Sequence, residues 1–140
     1  MPELNLHFDV DGNDFTLAGE CSSKVKKMLT QIGIPPAVIR KTAIAMYEGE
    51  INMVIHANGG SIDVVVEPDK ITTILKDTGP GIRDIDKAMQ EGFSTATNQV
   101  RELGFGAGMG LPNMKKYSDE MKINSVVGEG TTVEMVFYCK

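Results

Sequence analysis

Hydrophobic and polar residues alternate along five short stretches of the chain, and such alternation predicts β-strands. The stretches are residues 4–10, 61–67, 70–76, 121–127 and 131–138. Turn sequences follow the first, second and fourth stretches: Asp-Gly, Glu-Pro-Asp-Lys and Gly-Glu-Gly. Turns of this kind join antiparallel strands into hairpins. The pattern therefore predicts a sheet that is largely antiparallel, with the first strand entering a hairpin directly after residue 10.

Helical periodicity appears between these strands. It predicts helices over residues 22–32, 36–57, 84–90 and 111–118. The Gly-Ile-Pro-Pro sequence separates the first two helices, and Pro112 lies in the first turn of the last one, where a missing N–H costs least. The order of elements is not the alternation of a parallel fold. It predicts one α/β domain over residues 1–140, a two-layer sandwich with a mixed, largely antiparallel sheet and helices on one face.

The long helix over residues 36–57 carries a polar pair on an otherwise apolar background. At 100° per residue, one stripe collects the apolar side chains Ala43, Ile44, Tyr47, Ile51, Val54 and Ile55. Glu48 and Asn52 lie side by side at the edge of this stripe, one turn apart. Glu50 falls on the opposite side of the helix, where we expect it to be solvated. Gly49 interrupts the helix beside the polar pair and should weaken it.

Composition narrows the classes of function. The net charge is −5, with 41% hydrophobic and 24% charged residues, which is an ordinary globular balance without the basic excess of nucleic-acid binding. No apolar run reaches the ~20 residues of a membrane span, and the N-terminus has no secretory core. Cys21 and Cys139 form no metal or redox spacing. We therefore expect a cytoplasmic protein with reduced thiols that binds neither nucleic acid nor membrane.

A glycine-rich run, "ELGFGAGMGLPNM" at residues 102–114, precedes the last predicted helix. A Walker loop would end in Gly-Lys-Ser/Thr, a dinucleotide loop would follow a hydrophobic strand, and a protein-kinase loop would lie between two strands. None of these contexts is present. Two interpretations remain, a loop whose backbone approaches a phosphate at a helix N-terminus and a flexible hinge.

A second motif, "KDTGPGI" at residues 76–82, places Asp77 at the end of a hydrophobic strand. A carboxylate in that position can accept a hydrogen bond from an exocyclic amine such as that of adenine, or it can cap a plain turn. Glu48 and Asn52 have two interpretations as well, a catalytic pair and a polar pair on a helix surface.

Four segments in order, "YEGEINMVIHA", "DTGPGI", "GFGAGMGL" and "GEGTTVEM", resemble the GHKL ATPases. This superfamily contains gyrase, heat-shock chaperones, histidine kinases and mismatch-repair ATPases, and the resemblance covers residues 40–138. Within it, the Glu-x-x-x-Asn-x-x-x-His pattern of Glu48, Asn52 and His56 is similar to that of the anti-sigma-factor serine/threonine kinases. The resemblance implies a Bergerat-type ATP-binding fold.

The resemblance also implies roles for individual residues. Glu48 would act as the general base, and Asn52 would hold Mg²⁺ together with phosphate oxygens and water, since Mg²⁺ keeps several waters. Asp77 would bind the adenine amino group, and Thr131 would support adenine through its hydroxyl or a bound water; Thr131 could instead be an ordinary hairpin threonine.

Further ATP contacts follow from the remaining segments. They are Gly79, Gly81 and Ile82 beside the base, and Gly106, Gly108, Met109, Gly110 and Leu111 around the phosphates. Residues 83–110 would form a lid that closes over ATP. For His56 a helix-capping role and a phosphate contact both stay open. Arg83 and Arg101 border the lid, where each could reach the γ-phosphate or remain solvated.

The resulting hypothesis is an ATP- and Mg²⁺-dependent serine/threonine kinase that regulates transcription as an anti-sigma factor. Its partners would be a sigma factor and a small anti-sigma antagonist that it phosphorylates, and it could form a homodimer. Two alternatives are a detached catalytic domain of a histidine kinase and an ATP-gated binding module with little catalysis.

Overall fold

The computed structural model describes residues 4–11, 19–56, 59–79 and 110–139. Each strand and helix in these ranges begins and ends within two residues of its predicted bounds. The predicted helix 84–90 lies outside them. The strands are β1 (Leu4–Asp11), β2 (Gly59–Val66), β3 (Lys70–Lys76), β4 (Glu120–Val126) and β5 (Gly130–Tyr138), and the helices are α1 (Glu20–Gln31), α2 (Pro36–His56) and α3 (Gly110–Tyr117).

The five strands form one sheet in the order β1-β2-β3-β5-β4. All four pairings between these strands are antiparallel, which confirms the largely antiparallel sheet. β1 pairs with β2, which follows both long helices in the sequence. The hairpin predicted directly after β1 would involve residues 12–18, which lie outside the described ranges.

Every second residue of the inner strands points to one buried face. The buried strand residues are Ile62, Val64, Val66, Ile71, Thr73, Leu75, Thr131, Val133, Met135 and Phe137. The helices contribute Val25 and Leu29 from α1, Met46 from α2 and Met114 from α3 to the same core. One face of the sheet thus packs against the helices, as the two-layer prediction requires.

The face of α2 that enters the core differs from the predicted stripe. Ile51 and Val54 are buried as expected, but Tyr47 is 40% exposed. The core face is formed instead by Ile39, Thr42, Ala45, Met46, Gly49 and Met53. Thr42, Ala45 and Gly49 are buried on this face, and Gly49 lies against Leu75 of the sheet. Thr42 can be buried there because its hydroxyl donates to the Val38 carbonyl oxygen at 2.8 Å.

The expectation that Glu50 is solvated is wrong: its side chain is 1% exposed. Its carboxylate accepts hydrogen bonds from the backbone N–H groups of Gly19, Cys21 and Ser22, at 3.0, 3.2 and 3.1 Å, and from the Ser22 hydroxyl at 3.0 Å. No side chain of α1 caps that helix. Glu50 therefore supplies the N-cap of α1 from the neighbouring helix, where the helix dipole favours an anion.

Gly49, which appeared unfavourable within a helix, is required by packing. A Cβ there would collide with the side chain of Leu75 on β3 and would lie 3.1 Å from Cε of Met114 on α3. The missing side chain lets α2 approach the sheet and α3 at the same point. Its cost in helix propensity, about 1 kcal/mol, is offset by this close packing.

Both cysteines are free, as predicted. Burial raises the pKa of Cys21 to about 12, and the neighbouring Glu50 carboxylate acts in the same direction. The thiol is therefore protonated and unreactive at neutral pH, because the thiolate is the nucleophile. Within the described ranges, no helix combines the length and apolar character needed to cross a membrane.

Candidate functional site

Asp77 follows the last residue of β3 and is held there by backbone groups. Its Oδ1 atom accepts hydrogen bonds from the N–H of Gly79 at 2.9 Å and from the N–H of Thr131 at 3.1 Å. Its own N–H donates to the Thr131 carbonyl oxygen at 2.9 Å. Among the described residues, no hydrogen bond reaches Oδ2. One carboxylate oxygen thus orients the side chain and the other remains to accept a hydrogen bond from a ligand.

Thr131 joins this cluster through its side chain as well as its backbone. It is 9% exposed and lies opposite Ser125 in the β4–β5 pairing. The two hydroxyl oxygens are 2.9 Å apart, and the Ser125 hydroxyl is 3.4 Å from the carbonyl oxygen of Gly130. Ser125 was not among the predicted site residues.

Gly130 allows β5 to begin directly against Asp77. Its φ of 137° favours glycine, and a Cβ at this position would collide with the carbonyl oxygen of Asp77 and approach Cα of Thr78 to 2.9 Å. The Gly-Thr sequence at the start of β5 therefore places the Thr131 N–H where Asp77 can accept it.

Glu48 lies on α2 with its side chain half-buried. Desolvation by burial raises the pKa of its carboxyl group, and a hydrogen bond with the Asn113 side chain on α3 partly opposes this shift. Burial thus raises the proton affinity of this carboxylate, as the role of a general base requires. Asn113 was not predicted to belong to the site, and no pattern in the sequence distinguishes it from a surface asparagine.

Asn52 lies one helical turn after Glu48, and its amide also meets α3. Its Nδ2 is 4.0 Å from the thioether sulfur of the buried Met114. The amide nitrogen faces Met114, so the amide oxygen of Asn52 faces away from it. This oxygen is the atom that could ligate a hard cation. No cluster of three His, Cys, Asp or Glu side chains that could hold a metal occurs among the described residues. One amide oxygen with phosphate oxygens and water fits the ligand set that Mg²⁺ prefers.

Packing contacts bring the Glu48 and Asp77 groups to the same end of the sheet. Leu75, two residues before Asp77, packs where Gly49 has no side chain. A Cβ at Gly60 would lie 2.6 Å from Cε of Met53 and 3.0 Å from Cα of Asp77. The residues that adjoin Glu48 and Asn52 on α2 therefore contact the end of β3 and the start of β2.

The helix α3 begins at Gly110, and Leu111 is half-buried against the core. The first-turn N–H groups of α3 have no partners within the helix, and groups of this kind can bind an anion. Pro112 lies in this turn, as predicted. The other predicted phosphate and base contacts, Gly81, Ile82, Gly106, Gly108 and Met109, lie outside the described residues.

Of residues 83–110, proposed as the lid, the structure describes only Gly110. Arg83 and Arg101 therefore lie outside the described residues. His56 is the last residue of α2, and its side chain lies outside the description as well. The structure therefore brings together Glu48 with Asn52, and Asp77 with Thr131. The glycine-rich residues before Gly110 lie outside the described ranges.

Residues 14–137 match the model of the histidine kinase-like ATPase domain. The chain belongs to this family. Membership confirms the resemblance inferred from the four sequence segments, and it confirms the α/β ATPase fold that the resemblance implied.

Two relatives of the chain are named as a serine/threonine kinase and as an anti-sigma factor. The chain is 32% identical over 127 residues to the serine/threonine-protein kinase RsbT of Bacillus subtilis, covering 88% of this chain and 87% of RsbT. It is 37% identical over 103 residues to the anti-sigma F factor of Caldanaerobacter subterraneus, covering 70% of this chain and 67% of that protein.

Solved structures of the family share the fold. The RsbU and RsbW domains of Rv1364c from Mycobacterium tuberculosis align with a TM-score of 0.65 at 17% identity, over 96% of this chain and 31% of that one. The mycobacterial sensor histidine kinase MprB aligns with a TM-score of 0.54 at 14% identity, over 96% of this chain and 97% of that one. At these identities the match concerns the fold alone.

Proposed function

We propose that this chain is an ATP-dependent serine/threonine protein kinase that acts as an anti-sigma regulator. The relatives named as a serine/threonine kinase and as anti-sigma F factors support this activity, and membership of the ATPase family supports the use of ATP. The observation that carries the catalytic assignment is Glu48, a half-buried carboxylate with a raised pKa, one turn from Asn52.

The adenine base would bind beside Asp77, whose Oδ2 accepts a hydrogen bond from the exocyclic amine while Thr131 lies on the same side. The triphosphate would extend towards α2 and the N-terminus of α3. The remaining predicted contacts, Gly79, Gly81, Ile82, Gly106, Gly108, Met109, Gly110 and Leu111, would line the base and the phosphates.

Transfer of the γ-phosphoryl group would use Glu48 as the general base. The oxygen of an acceptor serine or threonine attacks the γ-phosphorus as Glu48 takes the hydroxyl proton. The bond from the γ-phosphorus to the bridging oxygen breaks, and ADP leaves with the electron pair. Asn52 would hold Mg²⁺ through its amide oxygen; when bound, the ion neutralises phosphate charge that builds up during transfer.

The protein partners follow from the same proposal. The phosphoryl acceptor would be a small anti-sigma antagonist, and the second protein partner would be a sigma factor that the kinase sequesters. Residues 1–140 would act as one ATP-binding domain in the cytoplasm.

The decisive experiment is single-turnover transfer of labelled γ-phosphate to candidate antagonists, with ATP affinity measured in parallel. Glu48→Gln preserves the shape of the side chain and removes its basicity. Transfer should fall about 10²–10⁴-fold while ATP affinity is retained. Asn52→Ala should weaken Mg-ATP binding instead.

Glu67→Gln is the matched control, because Glu67 follows β2 at the end of the sheet away from Asp77. Glu67→Gln should change neither the rate of phosphoryl transfer nor the affinity for ATP. A wild-type chain that binds ATP but labels no serine or threonine would indicate an ATP-gated binding module. Acid-labile phosphohistidine would indicate a detached histidine-kinase domain.

A further inference from the structure

The charges of this protein are divided between its two layers. Among the described residues, the three helices carry seven basic and three acidic residues, whereas the residues outside the helices carry three lysines and ten acidic residues. All seven basic residues of the helices are exposed, and we call them the basic face: Lys24, Lys26 and Lys27 on α1, Arg40 and Lys41 on α2, and Lys115 and Lys116 on α3. The helical layer is therefore positive although the chain as a whole is negative.

Few acidic side chains neutralise the basic face. Glu50 is buried and accepts hydrogen bonds from the start of α1, and Glu20 forms an ion pair with Lys24 at 3.0 Å. Glu48 is half-buried. Within the part of the chain that the structure describes, no other residue of the basic face forms an ion pair with a carboxylate. The face therefore retains positive charge that attracts an acidic molecule.

Glu48 lies between the two sides of the basic face. α1 and α3 each pack against α2. Lys115 and Lys116 follow Asn113, whose side chain contacts Glu48. On the other side, Lys24 lies one turn after the start of α1. The sheet covers the inner face of the helices, so a protein that delivers a hydroxyl group to Glu48 must approach the helical layer and meet the basic face.

Tyr47 gives this surface an apolar centre. It precedes Glu48 on α2 and is 40% exposed. Its ring packs against Gly19, where a Cβ would lie 2.7 Å from Cε1 of the ring. Because this packing already orients the ring, contact with a partner would cost little conformational entropy. Exposed tyrosines of this kind often form the energetic centre of a protein–protein interface.

The acidic residues outside the helices restrict the class of partner. An extended polyanion such as a nucleic acid would come within range of these carboxylates, and the net charge of −5 would oppose its binding. A compact acidic protein that touches only the helices would avoid them. The divided charges would also orient such a protein before contact, because the helical side attracts it and the sheet side repels it.

We propose that the basic face and Tyr47 form the docking surface for the phosphoryl acceptor, a protein that presents an acidic surface with an apolar contact for Tyr47. This inference rests on the proposed kinase activity. It adds the face of the kinase that the acceptor meets and the chemistry that the acceptor carries there.

The test measures phosphoryl transfer as a function of acceptor concentration, with the candidate antagonist that the wild-type chain labels. Lys27→Glu combined with Lys116→Glu, the helical-layer variant, reverses one charge on each side of α2. The KM for the antagonist should rise about tenfold. The rate at saturating antagonist and the affinity for ATP should stay unchanged, because neither lysine is a proposed ATP contact. Added salt should raise the KM of the wild-type chain more than that of the variant.

Lys70→Glu combined with Lys122→Glu is the matched control, because it makes the same change of net charge on β3 and β4. It should leave the KM for the antagonist unchanged. Tyr47→Ala should raise this KM, and Tyr47→Phe, which keeps the ring, should retain the wild-type value. An unchanged KM in the helical-layer variant or in Tyr47→Ala would overturn the inference, and so would an equal rise in the control.

Two other occupants of the surface predict different results. A single-stranded DNA oligonucleotide that binds the wild-type chain more tightly than the antagonist does would indicate a nucleic-acid surface. Self-association in sedimentation experiments that is lost in the helical-layer variant would indicate a second copy, bound through its acidic layer. Either result would overturn the inference.

A second probe separates this inference from the proposed function. If the wild-type chain transfers phosphate to no candidate antagonist, the proposed function fails and the assignment of the acceptor fails with it. The surface is then tested alone by amide NMR spectra of the full chain with poly-L-glutamate. Shifts confined to the three helices, and weaker in the helical-layer variant, would support an acidic protein as the partner of this surface. An absence of shifts in the helices would overturn the docking surface as well.

Discussion

Glu48 and Glu50 are the same residue type, two positions apart on α2, and their surroundings give them different roles. Glu50 accepts four hydrogen bonds from the start of α1 and is fully committed to structure. Glu48 is half-buried, and burial raises the pKa of its carboxyl group. The number of donors around each carboxylate, and not the residue type, separates the structural cap from the candidate base.

The hydrogen bond between Asn113 and Glu48 gives a prediction about pH. A general base must be ionised, so the rate of phosphoryl transfer should rise with pH through the raised pKa of Glu48. Asn113 stabilises the ionised form, and Asn113→Leu should therefore shift the midpoint of this rise to higher pH. The measurement is the single-turnover rate as a function of pH at saturating ATP.

Lys115→Ala, an exposed change two residues further along α3, is the control for this prediction and should leave the midpoint in place. If Asn113→Leu lowered the rate equally at every pH, Asn113 would be holding α3 in place and would have no effect on the proton acceptor.

At the scale of elements, the sequence predicted every described strand and helix closely, because periodicity and turn residues are local properties. It failed for the orientation of α2. Thr42, Ala45 and Gly49 lie on the core face although none of them is strongly hydrophobic, and Glu50 is buried because α1 offers it unpaired N–H groups. Such complementarity arises between elements distant in sequence, so a helical wheel cannot detect it.

The same limit applies to the candidate site. Asp77, Thr131, Glu48 and Asn52 could be identified from motifs that resemble a known family. Asn113 could not, because its importance depends on where α3 packs against α2.

The cap that Glu50 provides predicts a loss of stability when its charge is removed. Glu50→Gln places an amide N–H against backbone donors and should lower the free energy of unfolding by about 1.5–3 kcal/mol. Urea denaturation followed by circular dichroism measures this. Glu20→Gln is the control, because Glu20 lies in the first turn of the same helix but its side chain is 48% exposed. A similar small effect for both variants would contradict the cap.

On the edge of the sheet, His7 joins β1 to β2. Its Nδ1 lies 2.6 Å from Asp63 Oδ1 and its Nε2 lies 3.2 Å from Asp9 Oδ1. The hydrogen bond to Asp63 is the main cause that raises the pKa of His7 above its ordinary value of 6.5, and the one to Asp9 adds to it. The contribution to stability should be complete below pH 6.5 and should disappear as the pH rises through the raised pKa.

An NMR titration of the His7 ring measures this pKa directly. Asp63→Asn should move it back towards 6.5, and the pH dependence of stability should shrink with it. Asp69→Asn, in the β2–β3 turn, is the control and should leave the His7 titration unchanged. A His7 that titrates at its ordinary value in the wild-type chain would refute the pairing.

At the scale of the whole molecule, the candidate site combines parts that are far apart in the sequence. Glu48 comes from the second helix, Asp77 from the end of the third strand, and Thr131 from the fifth. Contacts at Gly49 and Gly60 hold these parts at one end of the sheet. Substitution of either glycine would therefore disturb the site through packing, although neither glycine is itself a proposed ATP contact.

The position of β5 between β3 and β4 also governs when this site can exist. A ribosome delivers residues 130–138 after every other described element, and the edge of β3 stays open until then. During that interval Asp77 has no Thr131 N–H to orient it. A nascent chain that lacks β5 should therefore bind ATP poorly, because the carboxylate of Asp77 is not yet oriented for the base.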